Sequence, residues 1–504
     1  MIIFVDYLKK CILSLFKNLF KQTMIYGLAT VLPRMFSFIL VPLYTTQLPR
    51  GEYGQVTVLF AYLVFLNVIL SYGMETAFFR FYNTETDKKN VIATSTISIF
   101  WTSLLFLLLG LVFRKSIANF IDKEVQYITY SIWILVLDAL VIIPFSKLRA
   151  TQKPIVYALI KIGNVLINMG LNIFLLIYLP QLAAADPEGF WNTVYLENFQ
   201  IGYIFMANVV ASLATFIILS PHYFTLKWHF DVRLWLKMMQ YGLPILIAGI
   251  AFAINEHLDK IILEHMLPKN SSEVQVGMYA ACYKIGLFMV LYRTAYSLGI
   301  EPFFFSHANS DNPQKTYATI TKYFVIFGSL IQLTVIVFAD LLKIFMIRDA
   351  SYWEAMDVVP LIILANFFLG IYTNLSVWYK LTNQTHFGAY ISIAGAVITL
   401  ILNYLLIPKI GYYGAAVATI AAYGTMMFIS YYYGNKYYPI PYESQKIYGY
   451  LAVSIVFSIL SFYVFRANYF VGIPLIFIFL IFIYVNEKNT LLSLLNRKKN
   501  NNIT

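Results

Sequence analysis

Apolar runs about twenty residues long recur along this chain, separated by short stretches that carry most of its charge. A helix rising about 1.5 Å per residue needs about 20 apolar residues to cross the hydrocarbon of a bilayer. By that measure, segments near 24–46, 54–74, 91–113, 127–147, 155–179 and 199–219 each predict one crossing. A polar, basic stretch from Pro221 to Lys237 follows. Eight more segments lie near 238–262, 276–299, 323–346, 358–379, 387–407, 412–434, 447–465 and 469–485. Backbone groups in lipid must bond within their own segment, so these runs are helices. The expected fold is an all-α polytopic membrane protein with about 14 transmembrane helices.

The first 22 residues follow a different pattern. Leu8, Ile12, Leu15, Phe16 and Leu19 share one helical face, and Lys10, Ser14, Lys17, Asn18 and Lys21 the other. That is an amphipathic helix, suited to the cytoplasmic membrane surface or to packing on the protein itself. It lacks the basic start, clean apolar run and small-residue cleavage site of a signal peptide.

Composition agrees with the pattern. Apolar residues make up 60% of the 504 and charged residues 12%, with a mean hydropathy of +0.70. A water-soluble core cannot absorb that excess. The net charge of +12 would suit nucleic acid in a soluble protein. Here its placement matters more. With the N-terminus inside, about 22 Lys and Arg fall in cytoplasmic segments and about nine in exterior ones, the asymmetry that orients membrane proteins. Lys88, Lys89, Lys147, Arg149, Lys153, Lys227, Arg233, Lys237 and the tail Arg497, Lys498 and Lys499 lie inside; Asp186, Glu188 and Glu197 lie outside. Both termini are thus expected in the cytoplasm, and nucleic acid is not a partner. Cys11 and Cys282 form no metal or redox spacing.

The first twelve segments read as a duplication. Gly73-Met74-Glu75-Thr76-Ala77-Phe78-Phe79 corresponds to Gly299-Ile300-Glu301-Pro302-Phe303-Phe304-Phe305, and Tyr26-Gly27-Leu28 to Tyr241-Gly242-Leu243. Segments five and eleven align without a gap, pairing Thr151, Ala158, Asn172 and Leu175 with Thr382, Ala389, Asn403 and Leu406. An even number of crossings per copy makes the repeats parallel, and substrate sites in such folds lie between the halves. The expected layout is an amphipathic helix at 1–22, a six-helix lobe at 23–220 and a linker at 221–237. A second six-helix lobe follows at 238–436, then two additional helices at 437–486 and a basic tail at 487–504.

Charge inside a crossing costs about 2.5–3.5 kcal/mol on insertion scales, so each instance calls for a role. Arg34 lies in the first segment on a stripe with Thr30, Ser37 and Tyr44, and Pro33 and Pro42 predict a bend there. The fifth segment carries Lys161, Asn164, Asn168 and Asn172 on one face; the eleventh carries Ser392, Gly395, Thr399 and Asn403. Such stripes bond between helices or line a cavity. Lys161 has no acid on its own helix, which favours a cavity, and Asp138 in segment four calls for a nearby cation. Asn255, Glu256, Asp259 and Lys260 cluster at the exterior end of segment seven, where Glu256 and Lys260 can pair. The cluster is either a solvated helix end or a gate or ion-coupling site. Lys284 and Arg293 in segment eight sit about half a turn apart, so they share a face only if the helix bends, with Gly286 the natural place. Without Glu75 and Glu301, which sit at cytoplasmic ends, the crossings hold five cations (Arg34, Lys161, Lys260, Lys284, Arg293) against three anions (Asp138, Glu256, Asp259). That bias suits an anionic group such as a phosphate or pyrophosphate.

No HExxH, P-loop, GxSxG or Cys/His cluster occurs, and the longest exterior loop, Pro180 to Asn198, is too short for a catalytic domain. The expectation is a transporter, not an enzyme.

The opening segments read Tyr26-Gly27-Leu28, Pro33-Arg34, Leu40-Val41-Pro42-Leu43-Tyr44-Thr45, Leu48-Pro49 and Glu52-Tyr53-Gly54, then Gly73-Met74-Glu75-Thr76-Ala77-Phe78-Phe79-Arg80. This resembles the polysaccharide transporters (Wzx-type oligosaccharide flippases) of the MOP exporter superfamily, which also holds the lipid II flippases and MATE exporters. The resemblance extends over the chain in crossing number, repeat and terminal helix pair. It implies a V-shaped pair of lobes around a central cavity. The implied substrate is an oligosaccharide on undecaprenyl pyrophosphate, moved across the bacterial cytoplasmic membrane by alternating access for O-antigen, capsule or exopolysaccharide. In such a scheme Arg34, Arg80, Lys161, Asn164, Asn168, Lys284 and Arg293 form the substrate cavity. Asp138, Glu256, Asp259 and Lys260 gate it or couple it to H⁺ or Na⁺, with no other cofactor. Membrane lipids and polysaccharide assembly proteins are the expected partners. The alternatives are a MATE-like drug antiporter, whose cavity should be acidic, a lipid II flippase, and a membrane glycosyltransferase or polymerase acting through Asp186, Glu188 and Glu197.

Overall fold

The computed structural model describes residues 38–306, 312–382 and 384–501, with a few isolated positions before 38. The amphipathic segment at 1–22 and Arg34 lie outside the described residues. The described part of α1 covers 38–47. Thirteen further helices are long and apolar enough to cross a membrane. They are α2 (Arg50–Thr84), α3 (Lys88–Ile121), α4 (Val125–Ala150), α5 (Pro154–Ala185), α6 (Gln200–Phe224), α7 (Val232–Met266) and α8 (Lys269–Leu298). The rest are α9 (Pro313–Val337), α10 (Ala350–Leu381), α11 (His386–Ile410), α12 (Tyr412–Tyr437), α13 (Ser444–Val464) and α14 (Tyr469–Lys488). Each coincides with one predicted crossing, and the protein is an all-α, multi-pass membrane protein.

Helix starts follow local chemistry. Asp87 Oδ1 accepts from the backbone N–H groups of Lys89 and Asn90, both at 3.1 Å, and starts α3. Pro154 opens α5, where a missing N–H costs nothing. Asp231 Oδ1 accepts from Leu234 N at 3.0 Å and starts α7, so only 225–231 separate it from α6. One boundary departs from the apolar pattern. The ninth crossing, expected at 323–346, is a helix from Pro313 to Val337, and a separate helix, Ala339–Met346, follows Phe338. Hydropathy penalises Lys315 and Lys322, whereas the fold buries Lys322 against carboxylates and starts the helix at a proline.

Close contacts divide the chain into two units. One comprises the described residues up to Ala280 together with Ser392–Ala415; the other comprises Ala281–Ile391 and the described residues from Ala416. In the first unit α2 breaks where Tyr72 and Gly73 adopt positive φ of 31° and 72°. A Cβ on Gly73 would lie 2.3 Å from the Gly242 carbonyl oxygen, so the break and the crossing with α7 both need glycine. The break re-aims the turn carrying Glu75 and Arg80. At the other end of α2, a Cβ on Gly54 would lie 2.0 Å from the Glu273 carbonyl oxygen, and one on Gly277 would lie 1.9 Å from that of Arg50. Two backbones meet there at a distance only small residues allow.

In the second unit α9 and α10 are the most enclosed helices and α14 the least. Trp378 anchors a core of Tyr372, Tyr379, Tyr423 and Met426, and its indole N–H donates to Ser430 O at 3.1 Å. Arg466, between α13 and α14, bridges Asp340 at 3.2 Å and Asp357 at 2.5 Å, and so ties the terminal pair to α10 and the helix after α9.

Candidate functional site

The first unit holds a half-open chamber of about 490 Å³, lined by polar side chains and by Val64, Val68, Val141 and Ile142. Four helices build it. From α2 come Asn67, Ser71 and Glu75, spaced one turn apart; from α4 come Asp138 and Phe145. Helix α5 supplies Tyr157, Lys161 and Asn164, and α6 supplies Asn208, Ser212 and Thr215, again at helical spacing. The outer faces of these helices are apolar and exposed, as Trp133 on α4, Leu159 on α5 and Ile217 on α6 illustrate. Polar stripes therefore turn inward, where hydrogen bonds are available, and apolar faces turn to lipid.

Hydrogen bonds fix part of the wall. Ser212 Oγ donates to Asp138 Oδ1 at 2.7 Å, and Asn164 Nδ2 donates to Thr215 Oγ1 at 2.9 Å. Lys161 Nζ lies 4.3 Å from the centre of the Phe145 ring, a cation–π contact. The charges felt by Lys161 are Asp138 first, then Glu75 and Arg149. Glu75 Oε1 accepts from Arg149 Nη1 at 2.8 Å, where both side chains are partly exposed, so this pair stands at the chamber's open end. Arg149 also lies 4.7 Å from the Phe79 ring centre.

The structure brings Asp138, Lys161 and Asn164 together in this wall and adds Glu75. Asn168 instead accepts from Asn172 Nδ2 at 3.1 Å, while Asn172 Oδ1 accepts from Tyr44 at 3.0 Å; that part of the stripe binds α5 to α1. Arg80 stacks over Tyr241, 4.2 Å from its ring centre. Lys284 and Arg293 belong to the second unit. Helix α8 tightens into a 3₁₀ turn over Lys284–Gly286.

The cluster on α7 is buried and bonded. Lys260 Nζ lies 2.8 Å from Asp259 Oδ1, and Tyr279 OH donates to Asp259 Oδ2 at 2.8 Å. Asn255 Oδ1 accepts from Thr399 Oγ1 at 2.8 Å, and its amide donates to Ser392 O at 3.1 Å, so the α11 stripe binds α7. Glu256 is 3.9 Å from His257. Near the same end of α7, Lys123 lies 2.7 Å from Glu264 and 2.6 Å from Glu273, with its side chain buried. Sequence reasoning passed over Lys123 because it lies in a loop, and over Asn67, Ser71, Asn208, Ser212 and Thr215 because none is charged. Their spacing of three and four residues was visible, and the criterion applied to the fifth segment finds them in the second and sixth. Among the described residues no group of His, Cys, Asp and Glu could hold a metal ion.

The fold has solved relatives. The structure titled lipid II flippase MurJ, inward closed conformation, superposes with a TM-score of 0.70 at 14% identity, covering 92% of this chain and 99% of that one. An inward-facing multidrug resistance MATE family transporter of the MOP superfamily gives 0.60 at 13% identity, over 85% and 96%. A MOP superfamily transporter from Pyrococcus furiosus, whose title reports reversed polarity of the binding pocket, gives 0.52 at 14%, over 86% and 95%. At these identities the likeness establishes a shared fold. No curated protein matches the sequence. The profile of the polysaccharide biosynthesis protein family matches residues 19–306, more than half of the chain and all of the chamber. The chain therefore belongs to the polysaccharide biosynthesis protein family.

Proposed function

We propose that the protein is a flippase that moves oligosaccharides linked to undecaprenyl pyrophosphate across the bacterial cytoplasmic membrane, by alternating access, for a cell-surface polysaccharide. The observation that carries this reading is the chamber: a polar, hydrogen-bonding space enclosed by helices whose outer faces are apolar. Carrying a glycan and a pyrophosphate through hydrocarbon unaided would strip water from every hydroxyl and charge. A polar path replaces that water, while the polyprenyl tail stays in lipid. Membership of a polysaccharide biosynthesis family and a fold shared with a lipid II flippase support this substrate class.

In this scheme Arg34, Arg80, Lys161, Asn164, Asn168, Lys284 and Arg293 are the proposed substrate contacts, and within the first unit Lys161 and Asn164 meet the glycan. Both termini lie in the cytoplasm, and the Arg149–Glu75 end of the chamber opens on that side. Reopening is driven by H⁺ or Na⁺ through Asp138, Glu256, Asp259 or Lys260. Transport that continues after both gradients are collapsed removes that coupling. The deciding experiment is a deletion strain analysed for lipid-linked glycan. Complete repeat units accumulating on the cytoplasmic side are the expected result. Incomplete units would point to a transferase, and unchanged glycan to drug export.

A further inference from the structure

The chamber's chemistry does not match the pyrophosphate end of such a substrate. A pyrophosphate calls for converging cations. Lys161 is the one cation among the described residues lining the chamber, and it faces Asp138 and Glu75. Arg149, at the rim, is already bonded to Glu75. An entering anion would meet as many carboxylates as cations.

A sugar calls for something else. Each hydroxyl both donates and accepts, so a sugar site offers amides and hydroxyls from several directions, together with ring surface for the apolar faces. The chamber offers both. Asn67 and Ser71 approach from α2, and Asn208 and Thr215 from α6, while Phe145 and Tyr157 supply rings. Ser212 spends its proton on Asp138 and still has lone pairs to accept with. Among the described residues the amides of Asn67 and Asn208 have no hydrogen-bond partner, though both face this space. A volume of about 490 Å³ lies in the range of pockets that enclose small ligands.

We propose that this chamber is a glycan pocket that takes one or two neutral or amino-bearing sugar residues and rejects acidic ones, while the anionic headgroup is held elsewhere. The Asp138 and Glu75 carboxylates accept from sugar hydroxyls or a sugar ammonium, and Lys161 donates to a ring or carbonyl oxygen. The inference deepens the flippase reading and names which end of the substrate this site selects.

The test uses the full-length protein in lipid nanodiscs, with four probes added separately: N-acetylglucosamine, glucosamine, glucuronic acid and inorganic pyrophosphate. Thermal unfolding is followed as each probe is titrated. N-acetylglucosamine and glucosamine should raise Tm saturably. Asn67→Leu and Asn208→Leu should each weaken that response about fivefold, as loss of one neutral hydrogen bond does. Lys115→Ala, at an exposed position of α3, should leave it unchanged. In a Ser71→Cys variant, N-acetylglucosamine should slow thiol labelling at position 71, a readout that does not depend on how stable the leucine variants are. The proposal is overturned if neither sugar shifts Tm or protects position 71. It is equally overturned if glucuronic acid or pyrophosphate gives a response that Asn67→Leu and Asn208→Leu abolish. Sugar binding without glycan accumulation in the deletion strain would retain the pocket and remove the flippase reading; accumulation without sugar binding would do the reverse.

Discussion

Two regions bury charge among lipid-facing helices, and they do so in opposite ways. In the second unit Lys322 on α9 lies 3.0 Å from Glu487 on α14 and 2.7 Å from Glu443, which precedes α13. Lys446 lies 2.9 Å from Glu443 and 3.3 Å from Glu487, and Tyr450 donates to Glu487 at 3.2 Å. Two cations meet two anions in direct contact, with Lys322 and Glu487 almost wholly enclosed. In the first unit the chamber holds Lys161 and Asp138 apart, each against an uncharged neighbour, with open space between the walls. A closed network leaves no donor or acceptor for a guest and serves to fasten helices. An open one keeps bonding capacity in reserve at some cost in stability, which is what a binding site requires.

Substitutions that leave one charge stranded in the closed network should separate the two regions most sharply. Lys322→Met leaves Glu487 inside the bundle with only Lys446 and Tyr450 as partners and should cost about 3 kcal/mol. The double variant Lys322→Met with Glu487→Gln should recover at least half of that in Tm. If Lys322→Met melts like the parent protein, the network does not fasten α14. In the chamber the pattern should invert. Lys161→Met should change unfolding free energy by less than about 1.5 kcal/mol, because a cavity-facing charge is easily replaced. It should nevertheless abolish complementation of a deletion strain, scored as surface glycan at equal protein level. Full complementation would remove Lys161 from the site.

The next contrast lies between backbones. Gly277→Val should destabilise by about 1–3 kcal/mol through overpacking against Arg50. Gly163→Ala on α5, where a Cβ meets nothing within 4 Å, should be neutral or slightly stabilising. Equal Tm values for the two would refute the close crossing.

The smallest effect concerns pH. Burial alone would raise the Glu443 carboxyl, but the bonds from Lys322 and Lys446 outweigh it and hold the group below the ordinary carboxylate range. A lowered folded-state value contributes stability above the unfolded value, which is lost as pH falls through the folded one. Glu443→Gln should therefore lower Tm near neutrality by an amount equivalent to under about 1 kcal/mol, as other half-exposed pairs do. The gap from the parent should close on acidification. A gap that widens instead would mean that Glu443 is not held in its charged form.

The glycine-flanked turn Gly73-Met74-Glu75 shows how far a motif can be read in advance. Its repetition was visible in sequence, and so was its polar residue. That Gly73 touches Gly242, itself part of the other repeated motif, and that Glu75 reaches Arg149 and the chamber, depend on where α4 and α7 stand. Lys260 offers a second case. Spacing along the helix allowed a bond with Glu256, yet the side chain also reaches the adjacent Asp259, which Tyr279 of α8 orients. Stripe reading worked for Lys161 and Asn164 because charge drew attention to α5. The equally regular Asn208, Ser212 and Thr215 sit in an otherwise apolar run and raise no alarm on a hydropathy scale.

The sequence by itself determined that the chain is helical, that it crosses a bilayer some fourteen times, and which face of each helix shuns lipid. Those properties are local: water is absent from hydrocarbon, so every crossing must bond internally and turn its polar side chains away. Only the tertiary structure decided which polar faces converge. That depends on the rotation of each helix about its axis and on close crossings such as Gly54 with Gly277, set by packing between residues far apart in the chain. Lys161 and Lys322 are each a lysine within an apolar run; packing surrounded one with a chamber and the other with carboxylates.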